Sequence, residues 1–329
     1  MKSAPRVVLC DLVRRYGRDL VAHPQRVRGL LNDLCPDCRP ENELLVHAQQ
    51  LEVPTRLRNL GAHLSMAVVI PDISVLMERH FYLPEAARWA VETWAMALGF
   101  DVPGSHRRIS RGDGKEQVWI PEGEFLYGEE RLPVTLSGYW IDVTPVTQGE
   151  YQRFLQANPD YPVPFRDKPP SEAYNWDQES RTLPPGKERH PVVLVSWHDA
   201  VAYVEWAGKR LPTEEEWEKA ARGTDGREYP WGNTWDPAKC NTAEGKAGGT
   251  TPVGRYSPHG DSPYGCVDMA GNVWEWTASH WDAVHRWKVV RGGFWFISGS
   301  QHARAAFRYA GRPNYRDDFF VGFRGVEES

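Results

Sequence analysis

The sequence predicts an α+β chain in two parts: an N-terminal all-α bundle over residues 1–100, then a loop-rich domain of mixed helix and strand over residues 117–329. Three observations carry that prediction. At 329 residues the chain is long enough for two domains. Apolar residues recur at helical spacing as far as Leu98, then give way to short apolar runs broken by Gly, Pro, Asn and Asp. Finally, 13 of the 15 tryptophans lie between Trp119 and Trp295. Loops lack the periodic apolar faces of helices and strands, so a loop-rich core needs bulky side chains, and aromatics bury roughly 150–250 Å² each.

In the first part, Leu83-Pro84-Glu85 opens a helix with proline in its first turn. Ala87, Ala90, Val91, Trp94 and Leu98 follow at spacings of three and four, and Gly99 stands where glycine ends helices. Val7–Val21, Arg26–Leu34 and Glu41–Leu51 show similar spacing, which gives a bundle of four to six short helices. Between two of these segments sits Cys35-Pro36-Asp37-Cys38. A C-x2-C is half a zinc site or a redox pair in other settings. With no second C-x2-C, no paired histidines nearby and no βαβ pattern, it reads here as a turn between helices. Residues 101–116, polar and glycine-bearing, read as a linker. In the second part a helix is expected to begin at Asp199, and another follows the capping box Thr213-Glu214-Glu215-Glu216.

Charge and composition exclude some classes. Thirty-nine basic and 44 acidic side chains leave a net charge of -5, which makes no field able to gather nucleic acid or anionic lipid. The N-terminal residues carry no apolar run of signal-peptide length, and no stretch approaches the ~20 apolar residues of a membrane helix. Five scattered cysteines form no disulfide framework, so the expected compartment is a reducing, bacterial cytoplasm.

Six blocks then occur in register: VWIPEGEFLYG (118–128), YWIDVTPVTQGEYQRFL (139–155), HPVVLVSWHDAVAYVEWAGKRLPTEEEWEKAARG (190–223), YPWGN (229–233), TTPVGRYSPHGDSPYGCVDMAGNVWEWTAS (250–279) and VVRGGFW…GFRGV (289–326). Together they resemble the formylglycine-generating-enzyme (sulfatase-modifying factor) family along essentially the whole second part, and the resemblance implies a C-type-lectin-like fold. The first part is similar to a small helical domain at the front of bacterial signalling and effector proteins, which implies adaptor or recruitment work with a signalling partner. In the family's oxidases two cysteines after the RGG motif bind copper. Aligned on Arg291-Gly292-Gly293-Phe294-Trp295, those positions hold Ile297 and His302, and no cysteine occurs from 267 to 329. Soft thiolates are what hold Cu(I). No copper and no catalytic residue are therefore expected. A second enzyme branch holds iron with histidines of a helical domain, but His23, His47, His63 and His80 have no metal-ligand spacing, and His280 and His285 read as surface residues. The family's structural calcium maps onto Asp268, the carbonyls of Gly271 and Val273, and Glu275, with a weaker second set at Asn241 and Glu244. The competing reading is that these side chains cap turns.

Within 291–324 a frame of family-matching residues (Arg291, Gly292, Gly293, Trp295, Ala303, Arg304, Ala306, Arg308, Pro313, Arg316, Gly322, Phe323, Arg324) alternates with residues unlike the family. Phe294 replaces a usual Ser or Thr. Phe296-Ile297-Ser298, Tyr309-Ala310-Gly311-Arg312 and Asp317-Asp318-Phe319-Phe320 fill places that are typically polar. This texture resembles the variable proteins of diversity-generating retroelements, where adenines in a template copy are mutagenised, often in AAY codons. Such codons do not become Lys, Glu, Gln, Met or Trp, and none of these residues is of those types. The resemblance implies a ligand-binding surface made of Phe294, Phe296, Ile297, Ser298, Tyr309, Ala310, Gly311, Arg312, Tyr315, Asp318, Phe319 and Phe320, taking a macromolecule, most naturally a protein. Alternatives from other classes are a signalling adaptor with one fixed ligand, and a divergent formylglycine-generating oxidoreductase.

Overall fold

The computed structural model describes residues 4–61, 66–80, 82–100, 102, 107–169, 172–282, 284, 286–316 and 319–328. The chain divides into two compact units, Met1–Pro103 and Gly104–Ser329. The mixed α+β class is as predicted. Among the described residues no helix is long and apolar enough to cross a membrane.

The first unit is helical: α1 (Ala4–Tyr16), α2 (Pro24–Leu34), α3 (Arg39–Gln50), α4 (Val53–Gly61), α5 (Met66–Glu78) and α6 (Pro84–Ala97). The apolar period expected to run from Val7 to Val21 breaks at Gly17, whose φ of 74° no helix accommodates. A 3-10 turn, Arg18–Ala22, takes over. Helix α6 is the axle, packing on α1, α3, α4 and α5. Its predicted stripe of Ala87, Ala90, Val91, Trp94 and Leu98 is buried, and the Trp94 indole donates to the Leu45 carbonyl at 2.9 Å. Gly99 ends it as expected: its N–H reaches Met96 O while Phe100 N–H reaches Ala95 O, a Schellman closure.

The second unit opens earlier than the sequence reading placed it. Strand β1 (Arg107–Ile109) and a tight turn lead into β2 (Glu116–Ile120), then β3 (Gly123–Tyr127), β4 (Leu132–Leu136) and β5 (Tyr139–Asp142). Residues 107–109 are therefore strand and residues 110–115 the turn that leads into β2, where the sequence reads as linker. The physical reason is an ion cluster that composition cannot reveal. Lys209 Nζ lies 2.7 Å from Asp113 and 2.7 Å from Asp142, with all three side chains fully buried. Burial alone would push the Asp113 carboxyl up, but Lys209 holds it below its ordinary range. Lys115 is buried beside it on Glu150, at 2.7 Å.

The remaining elements are α7 (Gln148–Ala157), α8 (Trp197–Trp206), α9 (Glu214–Arg222), β6 (Trp274–His280), β7 (Lys288–Arg291), the single-turn α10 (Gly299–His302), β8 (Arg308–Gly311), β9 (Val321–Gly322) and β10 (Val326–Glu328). Helix α8 begins two residues before Asp199. Ser196 is its cap and Asp199 answers as the third helical residue, closing a capping box. The box predicted at Thr213 and Glu216 starts α9. Four strands run in the order β1-β2-β5-β10, β3 and β4 form a hairpin, and a second four-stranded sheet runs β8-β7-β6-β9 with β9 parallel to β6. Trp176, Trp217 and Trp276 are fully buried, the aromatic core that the tryptophan count predicts.

Candidate ligand-binding surface

Strands β7 and β8 and the loops around them carry the residues in question. Arg291, at the end of β7, is fully buried. It donates to the carbonyls of Ala305 (3.1 Å) and Phe307 (3.3 Å) and pairs with Glu218 at 2.6 Å. Arg324 is buried too. It holds Glu275 with two bonds of 2.7 Å and donates to the carbonyls of Asp142, Val143 and Val267. Arg316 clamps Asp199 at 2.7 and 2.5 Å. A Cβ on Gly322 would sit 2.8 Å from the Val192 carbonyl oxygen. These frame residues tie distant loops together through charge-assisted bonds.

The intervening residues do something else. Phe294 stacks on Phe320 with centroids 4.4 Å apart, and Phe320 meets Phe319 edge-on at 5.2 Å. Phe319 lies along Tyr174 at 5.9 Å. On the other side Phe294 reaches Trp274 at 6.4 Å, and Trp274 stacks with Tyr309 at 5.9 Å. Trp295 links Phe319 at 6.2 Å to Phe296 at 5.4 Å. The result is one continuous aromatic ladder whose outer members are open to solvent: Phe296 is 69% exposed and Tyr309 57%. Exposed Arg312 forms a second group, with its guanidinium over Tyr315 at 5.2 Å and over Trp287 at 5.6 Å, and Tyr315 is 44% exposed.

Not every expected site residue belongs to this surface. Gly311 is a correction: it is buried, and a Cβ there would meet the Trp276 ring at 2.3 Å. It is glycine so that β8 can lie against the indole. Ala310 is half-buried and pairs with Val289 across the β7–β8 ladder. Ile297 is half-buried, and its backbone bonds to Phe294 and Ala243. Ser298 is exposed at the start of α10, its hydroxyl on Glu244. Asp318, with Asp317, lies outside the described residues. Tyr174, Trp274, Trp287, Trp295 and Phe307, whose ring lies 5.9 Å from Trp274, belong to this surface without being expected there. Only Phe307 carried a local signal, a large apolar residue set between the frame residues Ala306 and Arg308.

Most side chains of the two expected calcium sets make other bonds in this fold. Both Glu275 oxygens are taken by Arg324, and one also accepts from the Trp217 indole at 2.7 Å, so its charge is already neutralised. Asp268 is buried, accepts from Gly254 N–H at 3.0 Å, and is pushed up to about 6 by burial. The Gly271 carbonyl accepts from Val273 N–H. Glu244 faces α10 and accepts from Gly299 N–H at 3.0 Å, while Asn241 donates its Nδ2 to the Gly249 carbonyl and to Asn272 Oδ1 and keeps a buried Oδ1 without a hydrogen-bond partner among the described residues. Among the described residues no group of three His, Cys, Asp or Glu is placed to hold a metal.

Copper fits no better. His302 Nδ1 is on Ser298 O at 3.0 Å. Cys240 and Cys266 are buried, which pushes their thiols up to about 12 and about 11. In the helical unit His47 and His80 come within 6.0 Å, but His47 bonds to the Tyr82 hydroxyl and His80 to Leu76 O. His280 accepts from Lys288; His63 and His285 lie outside the described residues.

Comparison with known proteins follows the same lines. Residues 104–329 match the sulfatase-modifying factor enzyme 1-like domain. A Bos taurus protein named inactive C-alpha-formylglycine-generating enzyme 2 is 34% identical over 277 residues, covering 67% of this chain and 91% of that one. The formylglycine-generating enzyme of Thermomonospora curvata is 35% identical over 241 residues, 57% of this chain and 78% of its own. Among solved structures, PvdO from Pseudomonas aeruginosa superposes with a TM-score of 0.57 at 25% identity, over 70% of this chain and all of that one. Treponema denticola variable protein 1 does so at 0.53 and 20% identity, over 68% and 99%.

Proposed function

The chain belongs to the sulfatase-modifying-factor family, with a C-type-lectin-like second domain, and from that premise we propose that it is a ligand-binding variable protein rather than an oxidase. The recognition surface is the aromatic ladder and its neighbours: Phe294, Phe296, Ile297, Ser298, Tyr309, Arg312, Tyr315, Phe319 and Phe320. The observation that carries this reading is the continuity of the ladder out to Phe296 and Tyr309. Contiguous exposed aromatics cost solubility unless a partner covers them, and Tyr, Trp and Arg are the residues that anchor protein interfaces. The ligand is therefore a macromolecule with an apolar patch, most naturally a protein. The likeness to a solved variable protein supports the same fold for display. Ile297 and His302 stand where a copper oxidase needs thiolates, which removes the enzyme's soft donors. The helical unit would recruit a signalling partner in a bacterial cytoplasm.

The test lies in the DNA beside the gene. A near-copy of the 3′ coding segment, differing where the copy carries adenines, is the expected finding, and the mismatched codons should name these positions. With neither a copy nor a reverse-transcriptase gene, the fixed-ligand adaptor replaces it. Copper-dependent oxidation of a cysteine peptide by the purified chain would overturn both.

A further inference from the structure

The Cys35-Pro36-Asp37-Cys38 turn, a plain corner by sequence, brings its two sulfurs to 2.8 Å in a buried site. Cys35 caps the end of α2, its N–H on Leu31 O at 2.8 Å. Pro36–Cys38 makes a single 3-10 turn, and Cys38 is the N-cap of α3. Asn42 fixes the corner from the side, donating to Cys35 O and to Asn32 Oδ1, each at 3.0 Å. A disulfide is about 2.05 Å long, so bond formation here asks less than an ångström of sulfur approach.

We propose that Cys35 and Cys38 are a reversible thiol–disulfide couple that responds to low-molecular-weight disulfides of the glutathione class. One thiolate attacks the small disulfide R–S–S–R, forming a mixed disulfide and releasing one RS⁻. The second thiolate attacks the protein sulfur of that adduct, closing Cys35–Cys38 and releasing the second RS⁻. The two thiol protons leave to solvent. The two electrons lost by the cysteine pair reduce the small disulfide. The closed form locks α2 to α3, and α3 packs on the central helix α6, so the couple sets the rigidity of the helical unit. Cys240 and Cys266 lie in the second unit, where burial pushes their thiols up. The couple lies in the first unit and is independent of the ligand-binding reading.

The experiment incubates the full chain with excess glutathione disulfide, quenches with acid, alkylates, and weighs the peptide that spans both cysteines. The expected peptide is two hydrogens lighter, carries no alkyl group, and regains both thiols in reduced glutathione. Cys35→Ser and Cys38→Ser should each instead keep one glutathione on the remaining sulfur. Two results overturn the proposal: both native thiols still alkylated after the incubation, or a native chain that retains glutathione without closing. Should either variant fold poorly by circular dichroism, the native-chain masses decide alone.

Discussion

Arg291 and Phe296 share one short stretch of chain and are opposites. The arginine is wholly buried, spends its guanidinium on two carbonyls and a carboxylate, and closes loops onto the core. The phenylalanine is 69% exposed and touches its neighbour Trp295. The same contrast holds between Arg324 and Tyr309, and between Gly311 and Tyr315. Frame and insert divide the labour: buried charged bonds and close-packed glycines hold the fold, so the residues between them are free of that duty. A scaffold of this kind changes what it binds without changing what it is.

The largest blow to the frame side is Arg324→Met. It strands Glu275 as a buried, unpaired carboxylate, and losing one partner of such a pair costs about 3–5 kcal/mol. Equilibrium denaturant unfolding should show that loss, and a cost under about 1 kcal/mol would dissolve the distinction between frame and insert.

Next comes Asp268→Asn, which sharpens the frame by pH. The Asp268 carboxyl titrates at about 6 in the folded chain because burial raises it, against about 3.9 unfolded. A raised carboxyl favours the fold below its unfolded value, and that contribution is lost as pH rises through about 6. The asparagine variant should therefore gain on the parent between pH 4 and 8, by up to about 3 kcal/mol at the upper end. A calcium-dependent rise in Tm that the substitution abolishes would restore a metal role instead.

Gly311→Val tests a position that resembled an insert and proved to be frame. Crowding Trp276 should cost about 1–3 kcal/mol, seen as a lower midpoint in urea. Were valine tolerated at no cost, the close approach of β8 to the indole would lack the significance given to it.

Smallest of all are the changes at Phe296, Tyr309 and Tyr315. Each replaced singly by Ser should move stability by no more than about 0.5 kcal/mol. Phe294→Ser and Phe320→Ser should cost more, since their stacked rings also pack on the core.

Much of this was legible in the chain. The helical stripe of α6, its glycine stop and the Thr213–Glu216 box are local patterns, and local patterns survive folding. The frame of 291–324 was legible because its residues match the pattern of the family that the sequence resembles. What escaped depends on partners far away in sequence. Asp113 and Lys115 read as solvated linker because Lys209 and Glu150, which bury them, stand dozens of residues on. Glu275 reads by sequence as a calcium ligand, and its ion pair with Arg324 joins residues 49 positions apart. Tyr174 joins the aromatic ladder from a turn that no periodicity marks. The Cys35–Cys38 pair was visible as a spacing, but only the corner geometry brings its sulfurs together.

The most direct test of the division between frame and insert is the melting of one multiple variant, Phe296→Ser, Tyr309→Ser, Arg312→Ser and Tyr315→Ser combined. With 1 kcal/mol worth about 2–4 °C in a domain of this size, the account predicts a single cooperative transition within about 4 °C of the parent's. A fall beyond about 10 °C, or loss of cooperativity, would mean that the exposed aromatics hold the fold together, and the inserts would then be no freer to vary than the frame.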